Sequence, residues 1–263
     1  MATPLELLFD LAFVVAVGFA VTELQHTLSA GHLGLGTGRY LMVFFAIWWA
    51  WVNFSHFGSV YDTDDVPYRV FTVIQIGGVL VLAAGVAPAF ARADFTVVVI
   101  GYVIMRIAMV GQWLRAAIEF PEGRSSSLRF AIGVFTCQLG WVGRLFLPEQ
   151  LGLASFLVMV LAELAVPVWA ETRGATTRWH PHHLAERYGL FVLIVLGEQV
   201  VSSTHAIIDG LAHPEHLGGM IVIAVSALVI LFTMWWLYFD SSDHEMLTGV
   251  AGTMAWGYGH YLV

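Results

Sequence analysis

The sequence predicts an all-α, polytopic integral membrane bundle. Three observations carry this. Of 263 residues, 59% are hydrophobic and only 11% are charged. Soluble domains run at about 45–50% apolar and about 25% charged. Apolar runs of spanning length follow one another almost without interruption, and the segments between them are short and rich in turn residues. No joining segment is long enough to be a soluble domain.

A spanning helix needs about 20 mostly apolar residues. By that measure helices are expected near 5–25, 39–60, 67–90, 95–118, 128–147, 150–170, 184–208 and 217–239. That is eight. A further apolar run from Leu247 reads as a partial ninth, so the sequence has the look of a piece of a longer protein. The first run carries Glu6 and Asp10 and has no basic flank before it, unlike a cleavable signal. All eleven basic residues are arginine, and the net charge is −8. Nucleic-acid binding needs a clustered basic face, which is absent. The single Cys137 reads as a small buried hydrophobe.

Orientation follows from arginine. With a cytoplasmic N-terminus, Arg69, Arg115, Arg124, Arg129, Arg173, Arg178 and Arg187 lie inside, and Arg39, Arg92 and Arg144 lie outside. The expected location is the cytoplasmic (inner) membrane.

An internal similarity comes next. LMVFFAIWWAWVNFSH (41–56) aligns with LVILFTMWWLYFDSSD (228–243). Trp48-Trp49 meets Trp235-Trp236, Asn53 meets Asp240, and His56 meets Asp243. The first and seventh helices match more loosely, each opening with a Glu near a Pro. An even number of spans between copies makes a parallel repeat. The expectation is a first six-helix repeat over 1–170 and a partial second over 171–263. The Asn53/His56 and Asp240/Asp243 pairs are expected at helix ends, each sharing one face. The tryptophans beside them read as interface anchors.

Ionisable residues within the membrane are costly and mark ion paths or helix–helix ties. Glu6 and Asp10 stand one turn apart on the first helix. On the seventh, Arg187, Glu198 and His205 fall near one line. Arg106 and Glu163 each need a partner; Glu6, Asp10 or each other are candidates. An ion or proton path would use Glu6, Asp10, Arg106, Glu198 and His205. The other reading of each is a structural tie between helices. His183 and Glu186, in HPHHLAE, have helical spacing for shared metal ligation, against an ordinary helix cap. Asp62, Asp64 and Asp65 follow the second helix, and Asp240 and Asp243 follow the eighth. Such carboxylates can hold Mg²⁺ against a diphosphate, with Arg69, Arg115 and Arg187 on the phosphates. Otherwise they are solvated acidic loops.

TPLELLFDLAFVVAV, YDTDDVPYRVFTVIQIGGVLVLAAGV and HLAERYGLFVLIVLGEQVV resemble the signature segments of the bacterial low temperature requirement A (LtrA) family. The resemblance implies a multi-pass inner-membrane protein linked to growth in the cold. It points to Glu6, Asp10, Asp62, Asp65, Arg69, Glu186, Arg187 and Glu198. LELLFDLAFVVAV is also similar, at Phe9 and Asp10, to the first-helix motif of a six-helix-repeat potassium channel family; Leu8 stands where that motif has Ser. Three functions remain open: a transporter or ion-conducting protein, a Mg²⁺-dependent membrane enzyme acting on a lipid or prenyl diphosphate, and a structural or signalling protein. The expected partners are the lipid bilayer, an ion or lipid-like ligand, and further copies of the chain.

Overall fold

Thr3-Pro4-Leu5-Glu6 starts the first helix by a local device. The Thr3 hydroxyl accepts from the Glu6 amide at 3.3 Å, and the Thr3 amide donates to Glu6 Oε2 at 2.8 Å. This is a reciprocal capping box, with Pro4 where its missing N–H costs nothing. Glu6 is thus a helix cap as well as a buried acid. In a computed structural model, residues 3–172, 181–212, 217–240 and 249–262 are described.

Within those residues every long element is an α-helix: α1 Pro4–Ser29, α2 Leu33–Tyr61, α3 Val66–Ala84, α4 Val86–Arg92, α5 Thr96–Glu119, α6 Arg124–Arg144, α7 Gly152–Thr172, α8 Pro181–Ala212, α9 Leu217–Phe239 and α10 Gly249–Gly259. The expected third helix is thus two, broken at Gly85, and the expected seventh is α8. Among the described residues, seven helical segments are long and apolar enough to cross a membrane: α1, α2, α3 with α4, α5, α7, α8 and α9. The expected fifth span forms as α6, but Arg124, Ser125, Ser126, Ser127, Arg129, Thr136 and Gln138 dilute its apolar character. The run after Leu247 forms α10, which is 11 residues long. That is about 16 Å of helix, half of a bilayer core of about 30 Å.

α2 is the central post. It packs on α1, α4, α5 and α8. It also meets α7 through Phe45 and Phe156 and α10 through Trp49 and Tyr258. Burial of Trp48, Trp49 and Trp51 at 2%, 0% and 0% exposure corrects their reading as interface anchors. α2 runs on to Tyr61, so Asn53 and His56 lie inside the helix and not at its end. Asn53 is buried and His56 half-buried. Their counterparts on α9 live elsewhere: Trp235 and Trp236 are 43% and 63% exposed, and Asp240 is exposed at the helix end. Asp243 lies outside the described residues. α9 packs on α8 and presents apolar side chains outward. So do α1, α5 and α7 through Leu11, Ile118 and Leu161, at 62%, 74% and 67%. Lipid accepts such surface at no cost.

α3 and α5 touch backbone to backbone. A Cβ on Gly101 would lie 2.3 Å from the Leu82 nitrogen, and one on Gly78 would lie 2.8 Å from the Gly101 carbonyl. Small residues are what allow such approach in membranes. Gly101→Val is therefore expected to force the helices apart at a cost of at least about 1–3 kcal/mol. The measurement is the monodisperse fraction and melting temperature in detergent; a wild-type profile would contradict the contact.

Candidate functional site

The buried ionisable groups sort into separate centres. The first lies on the seam between α1 and α8. Glu6 is fully buried, and its Oε1 is 3.1 Å from His183 Nε2, whose ring reaches the rim of the protein. Gly58 of α2 makes room for this carboxylate: a Cβ there would be 3.0 Å from Glu6 Oε1. One turn along, Asp10 Oδ1 pairs with Arg187 at 2.9 Å and accepts from Trp51 Nε1 at 2.8 Å. The Arg187 guanidinium lies over the Trp51 and Phe54 rings and donates to the Ser55 hydroxyl at 3.3 Å. Asp10 Oδ2 and Arg187 Nε and Nη1 are buried without a hydrogen-bond partner among the described residues. Further along the seam, Glu198 rests on Gly18, where a Cβ would stand 3.0 Å from Glu198 Oε2. Gly18 is about 12 Å beyond Asp10 at 1.5 Å per residue. Asp10 and Glu198 share a seam and do not touch.

The three contacts rise together along both chains: Glu6 with His183, Asp10 with Arg187, Gly18 with Glu198. α1 and α8 therefore run parallel. Arg187 and Glu198 share a face of α8 because eleven residues are close to three helical turns.

The second centre is Glu163 on α7, 1% exposed. Its Oε2 accepts from Arg106 Nη2 at 2.7 Å and Trp49 Nε1 at 3.0 Å. Its Oε1 accepts from Tyr102 OH at 3.0 Å, Trp141 Nε1 at 3.1 Å and Gln138 Nε2 at 3.2 Å. One carboxylate thus ties α2, α5 and α6 to α7. Arg106 and Glu163 are each other's partner, one of the pairings the sequence left open. This removes Arg106 from the seam and corrects its placement on one path with Asp10. His205 is exposed on α8, about two turns beyond Glu198.

A third group sits between them. His56 Nε2 is 3.6 Å from Glu171 Oε1, beside a cavity of about 40 Å³ lined by Asn53, His56, Tyr188, Thr253 and Tyr258 among others. A water needs about 10–15 Å³ by the same measure.

The acidic loop before α3 is already matched with arginine. Arg69 donates to both Asp64 oxygens at 3.0 and 2.9 Å. Arg115 grips both Asp65 oxygens, and Asp65 also caps α3 through the Tyr68 amide at 3.0 Å. Hydrogen bonds from Arg115 hold the Asp65 carboxyl down at about 2. Asp62, at the mouth of the Glu6 centre, is pushed up by loss of water and then by the charge of Glu6. His183 turns to Glu6 and Glu186 is exposed, so the two do not form the predicted metal pair. Among the described residues no three His, Cys, Asp or Glu side chains gather closely enough to share an ion.

Sequence reasoning missed Trp49 and Trp51 as hydrogen-bond donors, and it missed Glu171 altogether. A tryptophan placed mid-helix among apolar neighbours is the one available signal, since a buried indole N–H seeks an acceptor.

A curated protein from Rhizobium meliloti (strain 1021), called uncharacterized protein RA0937, is 29% identical over 254 residues. The match covers 91% of this chain and 58% of that one, so the chain spans little more than half of its relative's length. No solved structure matches it significantly. The family described as Bacterial low temperature requirement A protein (LtrA) matches residues 1–263. By that match, and by the multi-pass helical architecture that accompanies it, the chain belongs to the LtrA family.

Proposed function

We propose that this protein moves a proton or a small cation across the bacterial inner membrane along the α1–α8 seam. The observation that carries the reading is the placement of three acids, Glu6, Asp10 and Glu198, on one helix–helix seam. His183 and Asp62 stand at its rim and form the entrance. Arg187 holds Asp10 when the site is empty, and an arriving proton or cation competes with the guanidinium for the carboxylate. The unpartnered Asp10 Oδ2 is the atom open to that competitor. Glu198, half-buried and without a donor among the described residues, is the next station.

The parallel course of α1 and α8 supports eight crossings. Two helices that run the same way need an odd number of crossings between them, and counting α6 makes that number five. The same parity supports a parallel repeat, with 1–170 as its first unit and 171–263 as part of a second. The arginine distribution supports a cytoplasmic N-terminus, and with that orientation the His183 rim would face the cell interior. A coupled transport step that slows as the bilayer stiffens would connect this activity to growth at low temperature.

Purified protein in proteoliposomes carrying a pH-sensitive dye tests the reading. Glu198→Gln is expected to lower flux at least tenfold while the melting temperature stays within a few degrees of wild type. Asp10→Asn is expected to lower flux as far, at a stability cost of about 3–5 kcal/mol because Arg187 is left buried without its counter-charge, so its flux is read on the folded fraction and in the Asp10→Asn/Arg187→Met background. Wild-type flux in both variants would end it. A second reading, in which the acids only tie helices together, is favoured by the double hold of Arg187 and Trp51 on Asp10 Oδ1. It predicts the reverse: lost thermal stability and no flux to lose.

A further inference from the structure

The end of the bundle opposite the Asp10 centre carries a cleft of about 540 Å³ where the α4–α5 and α6–α7 connections meet the start of α2. Two arginines line it, Arg39 from α2 and Arg144 from the end of α6. Neither is paired with a carboxylate among the described residues, unlike Arg69, Arg106, Arg115 and Arg187. Both are held by backbone carbonyls instead. Arg39 Nη1 donates to the Phe90 carbonyl, and Arg144 Nη2 donates to the Gly152 carbonyl at 3.0 Å. The Arg144 guanidinium is further fixed by aromatic rings, with Phe156 at 5.5 Å, Phe95 at 5.6 Å and Trp141 at 5.9 Å. Its Nε is buried with no acceptor among the described residues. A neutral carbonyl orients a guanidinium and leaves its charge uncompensated.

Two carboxylates also face the cleft, Asp94 and Glu149. The hydroxyl and then the amide of Thr96 hold the Asp94 carboxyl below its usual range, so it is charged at neutral pH. The rim is apolar: Leu35 is 49% exposed, Leu147 46%, Leu153 64% and the adjacent Phe146 82%. Cations fixed by carbonyls, separate anions and an apolar lip at the end of a spanning bundle together match an amphiphile with a zwitterionic head. Arginine is the side chain suited to phosphate, which it meets with two parallel donors.

We infer that this cleft binds a phospholipid with a phosphoethanolamine head, the phosphate against Arg39 and Arg144, the ammonium toward Asp94 and Glu149, and the acyl chains over Leu35 and Leu153. The balance of two cations and two anions favours a zwitterion over an anionic head. Such a lipid would pin the start of α2, the helix on which every centre described above leans.

Native mass spectrometry of the full chain in detergent tests this, with dioleoyl phosphatidylethanolamine, dioleoyl phosphatidylglycerol and water-soluble phosphoethanolamine as probes. Wild type is expected to retain the ethanolamine lipid at least about fivefold more tightly than the glycerol lipid. Arg144→Gln and Arg39→Gln are each expected to weaken it about tenfold, and Glu149→Gln to narrow the preference between the two lipids. Arg39→Gln keeps the test open should Arg144→Gln fail to fold, because Arg39 lies near the exposed start of α2. Unchanged retention in the folded arginine variants would overturn the site. Equal retention of both lipids would overturn the zwitterion. Displacement by millimolar phosphoethanolamine would overturn the lipid in favour of a free phosphate compound.

Discussion

Arg187→Met is expected to leave little folded protein. Among the described residues, the substitution removes the only charge facing Asp10 Oδ1 at ion-pair distance and leaves a buried carboxylate at 3% exposure with a single indole donor. Breaking a buried pair from one side costs about 3–5 kcal/mol, because the remaining charge is uncompensated. The natural rescue is Asp10→Asn in the same chain. The amide keeps the Trp51 hydrogen bond and carries no charge, so Asp10→Asn/Arg187→Met should recover most of the lost thermal stability. Fluorescence-detected size exclusion after heating reads this directly. A double variant no more stable than Arg187→Met would mean that Arg187 stabilises the bundle through its aromatic stack and not through Asp10. The same double variant bears on the transport proposal: it is folded but lacks the titrating carboxylate, so its flux should be as low as that of Asp10→Asn.

The second large effect is expected at Glu163. Glu163→Gln looks conservative and is not. The Oε1 side, facing Tyr102, Trp141 and Gln138, can be met by the new amide oxygen. The amide nitrogen must then face Trp49 Nε1 and Arg106 Nη2, which are both donors. Three donors would meet with no acceptor, beside a guanidinium left without its counter-charge. Each unsatisfied buried group costs about 1–3 kcal/mol, and the unpaired arginine adds more. The expectation is loss of folded protein in Glu163→Gln and partial return of stability in Glu163→Gln/Arg106→Met. Retained wild-type stability in Glu163→Gln would show that the five donors find other acceptors. No flux change is expected from any folded Glu163 variant beyond what its stability explains, because this centre is away from the seam.

These two centres also show where reading the sequence stops. The need for a partner was visible at Arg106, Glu163 and Asp10, because an ionisable residue inside an apolar run is costly wherever it sits; Arg187 instead read as a residue of the cytoplasmic side. The choice of partner was not. Glu163 and Trp49 are 114 positions apart. Glu6 and His183 are 177 apart. No periodicity links such positions. The tryptophans were misread for the same reason: an indole at the end of an apolar run fits both a membrane surface and a buried acceptor, and local pattern cannot separate them. Likewise Gly18, Gly58 and Gly101 are unremarkable in the sequence, and each turns out to make room for a carboxylate or a neighbouring backbone.

By itself the sequence determined the solvent and the helices with their approximate ends, since hydropathy and spacing are properties of neighbouring residues; the family followed from the likeness of three segments to its signature. It also determined which side chains were too costly to stand alone. Only the tertiary structure decided that α2 lies at the centre, that Arg106 belongs with Glu163 and Arg187 with Asp10, and that α1 and α8 lie side by side. The physical reason is that desolvation is set by what a residue is, whereas its compensation depends on which distant group folding brings within about 3 Å.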